Sequence, residues 1–169
     1  MKIRIADLSD LAALTAIYNY EIKFGTATFD TVEKNENERL AWMSAHNRDH
    51  HPLLVAEENA SILGYASLSP YGSKDAFATT AELSVYVHPN HRGQGVGKCL
   101  TKAIISHARS DGFLKLLISL ITSGNDASIA LHRSLGFTFR GSIPAIAYKF
   151  GKELGVEFYT LDLKPKLNT

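Results

Sequence analysis

The sequence predicts an α+β fold: a mixed, largely antiparallel central sheet with helices on both faces. Three observations predict it. Short segments alternate polar and apolar residues or run continuously apolar, as strands do. Between them lie longer stretches with an apolar stripe at helical spacing. Two of the strand segments are separated by only a short turn, which pairs them as neighbours.

Taken in order, Lys2 to Ile5 alternates as a short strand, and Ser9 or Asp10 can cap a helix whose stripe is Leu11, Leu14 and Tyr18. A polar stretch, Gly25 to Asp30, leads to a second helix near Glu33 to Ala45. Pro52 to Glu57 and Ile62 to Leu68 read as paired strands around a turn at Glu58-Asn59-Ala60. Ala81 to Val87 is a longer strand ended by Pro89. A helix follows Arg92 to Gly97. It carries Val96, Leu100, Ala103, Ile104 and Ala108 on one face and has Gly112 at its C-terminal cap. Leu114 to Ile121 is nearly all apolar, the pattern of a strand covered on both faces. Asn125 or Asp126 caps a short helix ending at Gly136, and two strands follow near Phe137 to Ser142 and Glu157 to Leu163.

The 169 residues suffice for one domain with a sizeable core, so residues 1–169 are expected to form a single domain. The net charge of +1, without any Lys/Arg block, gives no electrostatic footprint for nucleic acid. Cys99 is the only cysteine, which rules out an internal disulfide and fits a reducing compartment. The N-terminus lacks the apolar stretch of a signal peptide. The most apolar segment, Phe113 to Ile121, contains Lys115 and is too short to span a bilayer. The expectation is a cytoplasmic protein with neither a membrane nor a nucleic-acid partner.

Arg92-Gly93-Gln94-Gly95-Val96-Gly97 lies between a strand and the start of a helix. First-turn N–H groups and the positive end of the helix dipole make that position an anion site. Glycines let the backbone approach phosphate oxygens, and Arg92 can add a charge-assisted contact. Other phosphate loops fit less well. Gly97-Lys98 is followed by Cys99 where a Walker loop needs Ser or Thr, and the glycine spacing is not that of a dinucleotide fingerprint.

On these residues the chain resembles the GNAT acetyltransferases, whose signature Gln/Arg-x-x-Gly-x-Gly/Ala is matched by Arg92, Gly95 and Gly97. The resemblance implies the GNAT fold and acetyl-CoA as co-substrate, with backbone amides over Gly93, Gln94, Gly95, Val96, Gly97 and Lys98 on the pyrophosphate. It also implies that Val85-Tyr86-Val87 pairs with the pantetheine arm. Asn125-x-x-Ser128-x-x-x-His132-x-x-x-Gly136-Phe137 is similar to the family's second cofactor element, in which the Asn contacts the pantetheine. Four further segments resemble the phosphinothricin acetyltransferase branch: Ile17-Tyr18-Asn19, Ala81 to Val87, Leu131 to Phe137 and Lys149-Phe150-Gly151-Lys152. A homodimer is implied as well.

Amide formation needs a neutral amine at the thioester carbon, and Glu82 is the candidate general base. Alternation puts it on the face of Ser84 and Tyr86, and members of the branch carry their proposed base at this position. The resemblance implies an oxyanion donor in the backbone N–H near Val85. His132 stands where many family members place a tyrosine acid for the departing thiolate. It can donate a proton near neutral pH, but Ile129 and Leu135 flank it at helical spacing, so plain packing is the competing reading. No metal is expected: His88 and His91 flank Pro89, and His46, His50 and His51 read as solvated. Cys99 lies inside a helix with no activating partner, unlike an acyl-carrying nucleophile.

For the acceptor side, Phe29, Tyr71 and Phe77 are the aromatic candidates and Lys74 is the candidate partner for a substrate carboxylate. Members of the phosphinothricin branch usually carry Arg or Lys directly after the loop aromatic, whereas Tyr71 is followed by Gly72. Gly151-Lys152-Glu153-Leu154-Gly155 also lacks the branch's Trp and Asp. Ser67 to Thr80 holds one acidic residue, Asp75, beside Lys74, which suits a zwitterion better than a polycation. The leading expectation is N-acetylation of a small amino acid or an analogue such as methionine sulfoximine or phosphinothricin. The alternatives are a protein N-terminal acetyltransferase and a non-catalytic acyl-CoA-binding module.

Overall fold

The structure is a computed structural model, and it describes residues 1–163. Its chain order is β1 (Lys2–Ile5), α1 (Leu11–Phe24), α2 (Glu36–Ser44), β2 (Leu53–Glu58), β3 (Ser61–Pro70), β4 (Thr80–Val87), α3 (Val96–Asp111), β5 (Leu116–Thr122), α4 (Asp126–Ser134), β6 (Thr138–Lys149) and β7 (Lys152–Asp162). The seven strands form one sheet in the order β1-β2-β3-β4-β5-β7-β6. Only β4 and β5 pair in parallel; every other neighbouring pair is antiparallel.

Alternation along β2 and β3 builds two cores. Leu54, Ala56, Ala66 and Leu68 face α3, whose Val96, Leu100, Ile104 and Ala108 supply the other side. Leu53, Val55 and Tyr65 face the opposite way, onto Leu11, Leu14 and Ile17 of α1 and Met43 of α2. Leu100 and Leu14 are fully buried, so truncating either to alanine should cost about 2–5 kcal/mol.

The helix ends follow local chemistry. Asp7, not Ser9 or Asp10, makes the first cap: its carboxylate accepts from the Ser9 N–H at 2.8 Å, while Asp10 accepts from the Asp7 N–H at 2.9 Å. Asp10 is instead held by Arg4 at 2.7 Å. Asn35 and Glu38 form a reciprocal capping box, so α2 starts at Glu36 rather than near Glu33. Gly112 ends α3 at φ 75°, and Asn125 caps α4 by accepting from the Ser128 N–H at 3.2 Å.

The largest departure from the sequence reading is the final hairpin. β6 and β7 are 12 and 11 residues long, well beyond the expected segments Phe137 to Ser142 and Glu157 to Leu163. β6 is an edge strand, exposed along most of its length and broken by register shifts at Phe139/Gly141 and Ile143/Ala147. Burial does not impose alternation on such a strand, so its sequence carries little periodic signal.

Candidate active site

The parallel pair at the middle of the sheet does not stay closed. β4 and β5 align Thr80 with Leu116, Ala81 with Leu117 and Glu82 with Ile118, and their ladder ends there. The Ser119 hydroxyl still reaches the Leu83 carbonyl at 3.2 Å. Beyond it a groove of about 670 Å³ opens, lined by β4 from Leu83 to Val87, β5 from Ser119 to Thr122, and the first turns of α3 and α4. The inner edge of β4 thus presents backbone donors and acceptors to the groove where the sheet elsewhere would consume them.

The glycine loop forms one wall. Gly93 and Gly95 have φ of 73° and 82°, and a Cβ built on either meets no atom within 4 Å. The left-handed backbone, rather than crowding, selects glycine here, and the space before the loop stays open. Gly95 is the N-cap of α3 without any side-chain cap bond, and Val96, Gly97 and Lys98 of the first turn line the groove. Unpaired amides at a helix start facing open space suit a pyrophosphate. Arg92 lines the same groove but is already engaged: it ion-pairs with the buried carboxylate of Glu21, and its Nε donates to the Val87 carbonyl at 3.3 Å. Gln94 is not part of the lining; its amide donates to the Asn90 carbonyl at 3.1 Å.

Across the groove stand Asn125, Ser128 and His132. His132 is only 2% exposed. Its Nδ1 lies 2.8 Å from the Ser128 carbonyl, an acceptor, so Nδ1 carries the ring's proton. Nε2 is buried without a hydrogen-bond partner among the described residues, and the ring packs edge-on against Phe137 at 4.9 Å. Burial pushes the imidazole below its ordinary pKa, partly opposed by the bond to Ser128.

A second cavity of about 550 Å³ lies on the α1/α2 face of the sheet. Strand register builds its floor in three cross-strand pairs: Tyr65 opposite Tyr86, Ser67 opposite Ser84, and Ser69 opposite Glu82. Phe29, Thr28 and Asp30 from the loop after α1 wall it, and α2 contributes Arg39 and Trp42. That loop is pinned from below: the Lys149 ammonium donates to the Glu21 and Thr28 carbonyls at 3.2 and 2.9 Å, and the Thr122 hydroxyl donates to the Thr26 carbonyl. The two cavities share Ala27, Ser84, Tyr86 and Leu120, so they meet over the middle of β4.

Glu82 lines the second cavity beside that junction. It is half-buried, and no hydrogen bond or cation engages its carboxylate among the described residues. Desolvation alone therefore raises its pKa.

The structure thus brings together Val85, Tyr86, Val87, Arg92, Gly93, Gly95, Val96, Gly97, Lys98, Asn125, Ser128 and His132 around the first cavity, and Phe29 and Glu82 around the second. Tyr71, Lys74 and Phe77 line neither. The two rings pack on each other at 5.6 Å, and Lys74 is exposed. The sequence reading missed Glu21, Arg39, Trp42, Tyr65, Ser67 and Ser69. Arg39 and Trp42, three residues apart, share one helix face, but that spacing does not by itself mark a cavity. No group of three or more His, Cys, Asp or Glu side chains among the described residues is placed to hold a metal ion. No described helix is long and apolar enough to cross a membrane.

Residues 14–137 match the model of the acetyltransferase (GNAT) family. The chain is 42% identical to the L-methionine sulfoximine/L-methionine sulfone acetyltransferase of Salmonella typhimurium, over 96% of this chain and 95% of that one. It is 39% identical to the L-amino acid N-acyltransferase MnaT of Escherichia coli, over 96% and 94%. Its fold superposes with a TM-score of 0.94 on an acetyltransferase of Salmonella typhimurium solved with its cofactor acetyl-CoA, at 41% identity and covering 100% and 97% of the two chains.

Proposed function

Since the chain belongs to the GNAT acetyltransferases and is an acetyl-CoA-dependent N-acetyltransferase, we propose that its acceptor is the α-amine of a small amino acid or close analogue such as methionine sulfoximine, with Glu82 as general base. The observation that carries this reading is the junction of the two cavities over Ser84 and Tyr86. One cavity ends in a helix N-terminus suited to a pyrophosphate. The other holds a desolvated, unpartnered carboxylate. The names of the two relatives support the amino-acid class of acceptor, and the mixed charges of Asp30, Lys34, Arg39 and Glu82 around one cavity suit a zwitterion.

In this reading the amides of Gly93 to Lys98 receive the pyrophosphate, the open edge of β4 at Val85 to Val87 pairs with the pantetheine amides, and Asn125 and Ser128 flank the arm. The protonated amine loses its proton to Glu82, directly or through water. The nitrogen lone pair then attacks the thioester carbon. The C–N bond forms, negative charge on the carbonyl oxygen is met by a backbone N–H of β4, the nitrogen gives up its second proton to water, and the C–S bond breaks to release the thiolate. Donation from His132 would require an imidazolium, because in the neutral ring the only proton is held by Ser128. Burial disfavours that cation. The thiolate therefore leaves unprotonated, and His132 serves to hold α4 against the sheet. Residues 1–169 form one catalytic domain, cytoplasmic and homodimeric, in this proposal; its last six residues lie outside those the structure describes.

A thiol-release assay over a panel of amines tests the proposal. Methionine sulfoximine, methionine sulfone and free amino acids should release thiol faster than spermidine, an aminoglycoside or an N-terminal peptide. Faster release with any of those three would reject the amino-acid acceptor.

A further inference from the structure

We propose that Arg39 is the specificity-determining residue that binds the acceptor's carboxylate, a role the sequence reading gave to Lys74. The inference rests on the amino-acid reading of the site and assigns the part of the cavity opposite Glu82.

Arg39 is 4% exposed and lines the second cavity. Its guanidinium carbon lies among aromatic rings, 3.8 Å from the centroid of Trp42, 4.6 Å from that of Tyr18 and 6.0 Å from that of Tyr65. These faces attract the cation but do not neutralise it, and an arginine does not shed its proton. Nε has no hydrogen-bond partner among the described residues, and Nη2 reaches only the Tyr65 hydroxyl, at a long 3.4 Å. Two carboxylates that line the same cavity, Asp30 and Glu38, are committed elsewhere. Asp30 accepts from the Tyr18 hydroxyl at 2.7 Å and pairs with Lys34 at 3.3 Å. Glu38 accepts from the Asn35 N–H at 2.8 Å in its capping box.

A buried cation without a counter-ion is costly unless something supplies the anion. Here the cavity it lines opens onto the catalytic junction, so the anion can arrive with the substrate. The planar fork of a guanidinium matches a carboxylate in two parallel hydrogen bonds, which orients as well as attracts. Placement along the sheet agrees. Arg39 stands over the Tyr65–Tyr86 end of the floor and Glu82 at the Ser69 end, four residues or roughly 13 Å further along β4. An α-amine presented over Ser84 then has its base on one side and its carboxylate holder on the other.

The test compares methionine sulfone with its α-carboxamide, which keeps the amine and side chain but lacks the anion. The full-length wild type should prefer the acid. Arg39→Met should lose roughly 10- to 100-fold in kcat/KM for the acid, mostly through KM, with little change for the amide or in the KM for acetyl-CoA. Lys74→Met, at an exposed residue outside both cavities, should keep the wild-type preference. A folded Arg39→Met enzyme with the wild-type ratio of acid to amide overturns the proposal. Should that variant fail to fold, Arg39→Lys decides. A lysine there keeps the charge but not the fork, so the preference should fall several-fold, and an unchanged preference overturns it. If the wild type acetylates neither compound, the amino-acid reading itself falls and takes this proposal with it. A wild type that acetylates both equally rejects the proposal alone.

Discussion

At the scale of single residues, the chemistry of Glu82 comes from its lack of partners. Desolvation raises its pKa, so the acidic limb of the kcat/KM profile should lie above the ordinary carboxylate range and vanish in Glu82→Gln. Near neutral pH that variant should lose roughly two to four orders of magnitude in kcat while its KM for acetyl-CoA holds. Wild-type turnover in Glu82→Gln would remove it from the mechanism. The same shift has a sign for stability. Between the unfolded and the raised folded pKa the native state binds more protons than the unfolded chain, so stability falls as pH rises through that window. Glu82→Gln should therefore melt above the wild type at neutral pH, with the gap closing below the unfolded carboxylate pKa. A variant that melts lower at neutral pH would mean that a partner stabilises the charged form. His132→Phe should cost far less turnover than Glu82→Gln, because the thiolate leaves without it; an equal loss in kcat would restore His132 as an acid. Glu82 is singled out by the resemblance to the phosphinothricin branch, whose members carry their proposed base at this position; alternation alone leaves it an ordinary strand carboxylate. Arg39 is not, because nothing in one helix tells whether a cation three residues from a tryptophan points into solvent or into a cavity.

At the scale of elements, the phosphate-binding proposal rests on the start of α3. Gly95 is left-handed and faces open space, so any side chain there brings two separable effects. Backbone strain should lower stability by about 1–2 kcal/mol for Gly95→Ala, and more for the β-branched Gly95→Val. Intrusion on the pyrophosphate should weaken acetyl-CoA binding, more for Val than for Ala, when both are titrated by calorimetry at a temperature where both stay folded. Equal wild-type affinities in the two variants would contradict the loop's role. This element was legible because three local signals agree: the glycines, the apolar stripe of Val96, Leu100, Ile104 and Ala108, and the terminal Gly112. The divergence of β4 from β5, on which the groove depends, was not legible. β5 keeps its pairing with β7 along Leu116 to Thr122 after it leaves β4, a contact between strands some 40 residues apart in sequence that no local pattern reports. Lys74 lies outside both cavities for a related reason, since the loop after β3 is close in sequence to the strand of Glu82 but packs its own rings together.

At the scale of the whole molecule, the remaining question is what covers β6. This strand closes one edge of the sheet, and Ile143, Ile146 and Tyr148 are 45%, 50% and 70% exposed along it, with Phe150 at 54% in the turn that follows. An edge carrying an apolar row is a template for pairing with another chain, and the two register shifts with Pro144 between Ile143 and Ala147 blunt it only locally. A second copy of the chain satisfies both the edge and the row, which is the physical content of the proposed homodimer. Lys149, at the end of the same strand, is buried and donates to the Glu21 and Thr28 carbonyls, so the β6 edge is tied to the loop that walls both cavities. Replacing Ile146 and Tyr148 by lysine puts two exposed charges on the row and touches no cavity-lining residue. By sedimentation the wild type should run at about twice its 18.5 kDa chain mass and the doubly substituted protein at one chain mass, with similar far-ultraviolet dichroism. A wild type that sediments as a monomer at tens of micromolar would leave the β6 row without a self-partner and reject the dimer.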